Sequence, residues 1–223
     1  MKQKNVVVGL STVLFFTLGV SMVLAHQPNE VGTSTAIVDT EATISKAYYG
    51  ELVGDPAIYT VVATSSFVLD VNILSPDKPG TRVDFTVMVV RADTQKTITI
   101  LNDPPVAWPR WYEDFGGDWY RQGPEFKQQV PAGTYTVTVQ NHDNNGQYVL
   151  AIGEDEVFPP STALHTLGEL YRVKTAYFGE PWYGIYRGVI GGYLLIASVV
   201  LLLILALLVW LIVRALRRRP RKS

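Results

Sequence analysis

The chain has 223 residues, no cysteine, 19 Lys plus Arg against 20 Asp plus Glu, and 48% hydrophobic residues. That excludes structural disulfides, thiolate metal sites and cysteine nucleophiles, and it suits neither a disordered acidic chain nor a large multidomain protein. The formal charge of −1 hides basic ends (Lys2 and Lys4; six residues from Arg214 to Lys222) around a middle of 11 basic and 20 acidic residues, a net −9 that repels phosphate and argues against a nucleic-acid partner.

Val6 to Ala25 form an almost unbroken apolar run behind Lys2 and Lys4, closing on Val23-Leu24-Ala25, the small-residue pattern of a signal-peptidase site. Residues 1–25 are therefore expected to be a secretory signal, or an uncleaved signal anchor, since the run exceeds the usual apolar region of about 7–15 residues. Either one exports the middle of the chain. Residues 26–44 are polar and turn-rich and read as an exported linker. Cleavage after Ala25 would give His26 a free amine able to chelate copper with its imidazole. Only His142, in an expected turn, and His165, in the stalk, remain as partners, so a plain terminal histidine is the simpler reading and no cofactor is expected.

From 45 to 155 the hydrophobic period is two. Phe67, Leu69, Val71 and Ile73 alternate with Val68, Asp70 and Asn72, and Val83, Phe85, Val87 and Val89 alternate with Asp84, Thr86 and Met88. Tyr135, Val137 and Val139 alternate with threonines, and Tyr148, Leu150 and Ile152 come after the polar turn His142-Asp143-Asn144-Asn145-Gly146. With Ser45–Leu52, Ala57–Ala63 and Lys96–Leu101 these predict a half-buried antiparallel sandwich with one core. No βα alternation supports a nucleotide-binding sheet.

Pro131-Ala132-Gly133-Thr134-Tyr135-Thr136-Val137-Thr138-Val139, a polar turn, and Gly146-Gln147-Tyr148-Val149-Leu150-Ala151-Ile152 resemble the closing hairpin of bacterial pre-peptidase C-terminal type jelly-roll domains. The resemblance implies an all-β, jelly-roll-like antiparallel β-sandwich acting as an accessory or binding module. The whole layout is also similar to membrane-anchored envelope proteins of bacteria and archaea.

Between the strands, Pro104 to Phe126 gathers seven of the chain's 25 aromatic residues. Trp108, Trp111, Tyr112, Trp119 and Tyr120 alternate with Arg110, Glu113, Asp114, Asp118 and Arg121, and Gly116-Gly117 lets the backbone turn. Exposed rings beside carboxylates and guanidinium groups suit a protein or glycan partner, whereas a satellite core under a folded-back loop is the plainer account. Glu113, Asp114 and Asp118, or Asp143, Asn144 and Asn145, have oxygens for calcium without the spacing of a known calcium loop, and the second group suits turn chemistry. Glu113 with Asp118 could serve a glycosidase, yet no elbow, zinc or phosphate-loop motif is present, and no enzyme is expected.

Residues 156–187 read as a stalk in which Ser161 or Thr162 caps a short helix carrying Leu164, Leu167, Leu170 and Tyr171, packed on the sandwich or lying along the bilayer. Val189 to Val213 is 25 residues without a charge, long enough to cross the lipid bilayer; the transmembrane helix is expected over 188–213. The basic tail 214–223 places the C-terminus in the cytoplasm and the sandwich outside, as a single-pass plasma-membrane protein with Trp182, Tyr183, Tyr186 and Tyr193 at the outer boundary. Gly184, Gly188 and Gly192 recur every four residues, as a seam for a helix-mediated oligomer or as a loosened helix start. Docking on a larger membrane complex through this helix is the alternative function.

Overall fold

Eleven strands are found among the residues that the computed structural model describes, which are 26–103, 105–157 and 163–217. The expected signal segment, the Ser161 or Thr162 cap and the basic residues from Arg218 to Lys222 lie outside the described residues. The strands are β1 Gln27–Gly32, β2 Ala36–Asp39, β3 Lys46–Val53, β4 Ala57–Ala63, β5 Phe67–Pro76, β6 Thr86–Arg91, β7 Lys96–Leu101, β8 Arg110–Glu113, β9 Asp118–Val130, β10 Gly133–Gln140 and β11 Asn145–Ile152. They form one sheet in the order β1-β3-β11-β5-β9-β8 and a second in the order β2-β4-β10-β6-β7. The runs β3-β11-β5-β9 and β4-β10-β6-β7 interleave as the two halves of a jelly roll.

Period-two alternation gives each sheet one apolar face, and the two faces meet. Leu69, Val71 and Ile73 of β5, Val87 and Val89 of β6, and Val137 and Val139 of β10 are fully buried in one cluster. Val83, which shares their alternation, precedes β6 and is exposed. Across the core, the Tyr59 and Tyr148 hydroxyls hydrogen-bond at 2.9 Å and tie β4 to β11. Tyr59→Phe leaves the Tyr148 hydroxyl without this partner, and chemical denaturation is expected to show a loss of about 1 kcal/mol.

Two expectations about the sandwich are corrected. Residues 26–44 are not a linker: β1 joins β3 and β2 joins β4, both in parallel. Adding an edge strand needs backbone donors and acceptors but no apolar alternation, so the sequence carries little sign of it. Asp39, at the end of β2, is buried and accepts from Lys46 Nζ and the Tyr48 hydroxyl, each at 2.7 Å. Second, β10 and β11 are consecutive but sit in opposite sheets, so their connection is an arch between sheets and not a hairpin. Asn141 builds that arch, donating from Nδ2 to the Asn145 carbonyl at 2.9 Å and accepting the Asn145 N–H at 3.0 Å. Asp143 is held by Arg82 at 2.7 Å, so the Asp143-Asn144-Asn145 group serves the turn.

The stalk is α1 Ala163–Arg172, continued by a π-helical turn Val173–Tyr177 and, after a break, a 3-10 turn Trp182–Tyr186. It packs on the sandwich. Leu170 is buried, Glu169 accepts the Glu30 N–H of β1 at 3.1 Å, and the Tyr177 hydroxyl donates to the Tyr148 carbonyl at 2.8 Å. Tyr171, expected on the apolar side, is exposed. The last element, α2 Gly188–Arg217, is 30 residues long and apolar enough to cross a membrane, and none of the described residues covers its apolar window. At 1.5 Å per residue it spans about 45 Å, against a hydrocarbon core of about 30 Å.

Candidate functional site

The aromatic-acidic segment is a hairpin, not an irregular loop. β8 pairs antiparallel with β9 at the edge of the six-stranded sheet, with Arg110 opposite Arg121, Trp111 opposite Tyr120, Tyr112 opposite Trp119, and Glu113 opposite Asp118. Alternation then divides the candidate residues between two faces. Arg110, Tyr112 and Trp119 share one, and Trp111, Glu113, Asp118 and Tyr120 the other. Trp108 belongs to neither: it is 6% exposed in the main core, and Gly123, at a bulge opposite Ile73, leaves room for its ring.

The first face is a stack open to solvent. Tyr112 and Trp119 lie 4.8 Å apart between ring centroids, and the Arg110 guanidinium sits 4.0 Å over the Trp119 ring. Asp77 fixes the stack from below by accepting from both Arg110 and Arg121. These two guanidinium groups hold the Asp77 carboxyl below its ordinary range against its partial desolvation. Trp119 remains 43% exposed.

The second face is largely committed to structure. The Glu113 oxygens accept the N–H groups of Phe115 and Gly116 at 2.7 and 2.6 Å and set the hairpin turn. Asp118 Oδ1 accepts from Lys174 Nζ at 2.6 Å, and the same ammonium donates to the Gly116 carbonyl at 2.6 Å. Burial raises the pKa of both carboxyls, Lys174 pulling in the opposite direction. Tyr120 is buried against Phe178 of the stalk, ring centroids 5.6 Å apart.

The turn itself meets the start of α2. The Val189 N–H donates to the Asp114 carbonyl at 2.9 Å and the Ile190 N–H to the Phe115 carbonyl at 3.2 Å, so the sandwich satisfies donors that a helix start leaves unpaired. Gly117 and Gly188 make the approach possible. Both have positive φ, +78° and +66°, and a Cβ on Gly188 would lie 2.5 Å from the Gly117 nitrogen. This corrects the expected glycine seam. Gly184 belongs to the separate 3-10 turn, and the positive φ of Gly188, the first residue of α2, breaks the helical path between them, so Gly184, Gly188 and Gly192 share no single helical face. Of the three, Gly192 has open space around it.

The contributors that the aromatic pattern does not reveal are Lys174, Asp77 and Asn102, whose Oδ1 accepts the Trp108 indole N–H at 3.4 Å. Lys174 and Asp77 are distant in sequence from the hairpin, whereas Asn102 lies just upstream of it; the one local signal for Lys174 is a lysine inside an apolar stretch, Val173 to Tyr177.

The chain is similar to the pre-peptidase C-terminal domain of collagenase from Bacillus anthracis at 17% identity and a TM-score of 0.30, over 59% of this chain and 97% of that one. No family model and no curated protein matches it.

Proposed function

We propose that the chain is a non-enzymatic, single-pass envelope protein whose outward-facing sandwich binds a protein or glycan through the Arg110, Tyr112 and Trp119 face. The observation that carries this reading is the open stack itself: two large rings and a guanidinium are fixed by Asp77 and by cross-strand pairing, yet left uncovered. Fixed, exposed aromatic and arginine groups form interfaces at little cost in side-chain entropy. The non-enzymatic assignment is supported by the fates of Glu113 and Asp118, whose oxygens are engaged by the turn and by Lys174. Support for sidedness comes from Arg214 and Arg217 at one end of α2 and from exposed Trp182, Tyr183, Tyr186 and Tyr193 at the other, the arrangement of a cytoplasmic C-terminus.

Trp119→Ala with Tyr112→Ala is expected to abolish affinity capture of the partner from solubilised membranes while leaving the unfolding transition in place. Unchanged capture, lost instead when α2 is exchanged for an unrelated apolar helix, would favour the accessory-subunit reading, in which the uncovered helix docks on a larger complex.

A further inference from the structure

A second recess lies on the opposite side of the same hairpin. It is a cavity of about 150 Å³ on the outer face of the six-stranded sheet, walled by the rings of Tyr49, Trp111 and Tyr120 and floored by Leu74 and Val149. An apolar cavity of this size holds a molecule of roughly six heavy atoms. Its polar lining combines one carboxylate with two neutral amides, Asn72 and Gln122. Glu113 contributes a carboxylate, and Asn72 contributes an Oδ1 that is buried without a hydrogen-bond partner. No Lys or Arg lines it, and His26, at its rim, is held toward the neutral form by burial and hydrogen-bonds through Nδ1 to the Ser45 hydroxyl.

We infer that this cavity binds a small organic ammonium group bearing at least one N–H. The rings offer π faces to a cation, the carboxylate offers countercharge, and the N–H satisfies Asn72 Oδ1. An anion would meet the Glu113 carboxylate with only neutral amide donors, such as Gln122, to hold it. A bare metal ion is disfavoured because no group of three or more His, Asp or Glu among the described residues could hold one. Glu113 supplies the electrostatic motive: two of its acceptor positions are used by the turn, and burial raises its pKa despite the opposing pull of Lys174, a cost that a further cation in the cavity offsets. The Arg110, Tyr112 and Trp119 side chains lie across the strand, so the cavity is independent of the partner face proposed there.

The ammonium can come from free amines or from lipid, because Glu113 is followed immediately by Asp114 and Phe115, whose carbonyls hold the first turn of α2. The test uses full-length protein carrying 5-fluorotryptophan in phosphatidylglycerol nanodiscs, with the Trp111 ¹⁹F resonance assigned through Trp111→Phe. Ethanolamine is expected to shift that resonance saturably, whereas propan-1-ol, its neutral isostere, leaves it in place. Asn72→Leu is expected to weaken the ethanolamine response about tenfold, and Trp111→Ala to weaken binding about tenfold or more by calorimetry, with unfolding temperatures unchanged. Nanodiscs of phosphatidylethanolamine separate the sources: the shifted resonance without added amine identifies the headgroup, and its absence identifies a free amine. A Trp111 resonance unmoved by either source, or moved equally by propan-1-ol, overturns the proposal.

Discussion

Lys174→Met is expected to destabilise the protein by about 3–5 kcal/mol, the cost of leaving one partner of a buried ion pair uncompensated. Lys174 and Asp118 have side chains 1% and 5% exposed, and the ammonium also holds the Gly116 carbonyl, so the substitution removes two short hydrogen bonds and strands a carboxylate away from water. Chemical denaturation in a neutral detergent, followed by near-ultraviolet circular dichroism, measures the loss. Lys174→Met combined with Asp118→Leu is expected to recover much of it, because two apolar side chains of similar size carry no desolvation penalty. A single variant as stable as the parent would mean that the pair is solvated and does not clamp the hairpin.

Gly188→Ala is expected to loosen the start of α2 while leaving the sandwich core folded. A left-handed backbone costs a non-glycine residue about 1–2 kcal/mol, and the new Cβ meets the Gly117 nitrogen at 2.5 Å and the Gly116 carbonyl carbon at 2.6 Å. Backbone on both sides cannot yield cheaply. The Val189 and Ile190 amides then lose the Asp114 and Phe115 carbonyls, and their hydrogen exchange is expected to accelerate about tenfold or more. Amides of β10 and β11 serve as the internal control and should keep their protection. Equal acceleration in those strands would mean that the junction is not a separate unit.

Much of the architecture is visible in the residue pattern because alternation and burial coincide. Phe67, Leu69, Val71 and Ile73 read as one inward row and are one, and the uncharged run from Val189 to Val213 lies within a single helix. What escapes is structure that rests on backbone pairing or on long-range polar contacts. β1 and β2 are short edge strands whose register is set by β3 and β4, and β9 hides its thirteen residues behind a bulge and a stretch, Glu125 to Gln129, in which Phe126 is the one apolar residue. The candidate site is half legible. Composition singles out the hairpin, but only pairing shows that Tyr112 and Trp119 face away from Trp111 and Tyr120, and only the fold brings Lys174 beneath the turn. The glycine spacing misleads for a physical reason: four-residue intervals imply a face only along one continuous helix, and Gly188 has the backbone conformation that interrupts it.

The direct junction between the sandwich and α2 ties the proposed binding face to the long apolar helix, and the absence of any cysteine in the chain opens this junction to site-specific labelling. Spin labels on Lys96→Cys, in β7, and Leu205→Cys, in α2, measured by electron–electron double resonance in nanodiscs, report the orientation of one against the other. A single narrow distance distribution, broadened by Gly188→Ala, is the predicted result. A broad distribution in the parent protein, unaffected by that substitution, would contradict it.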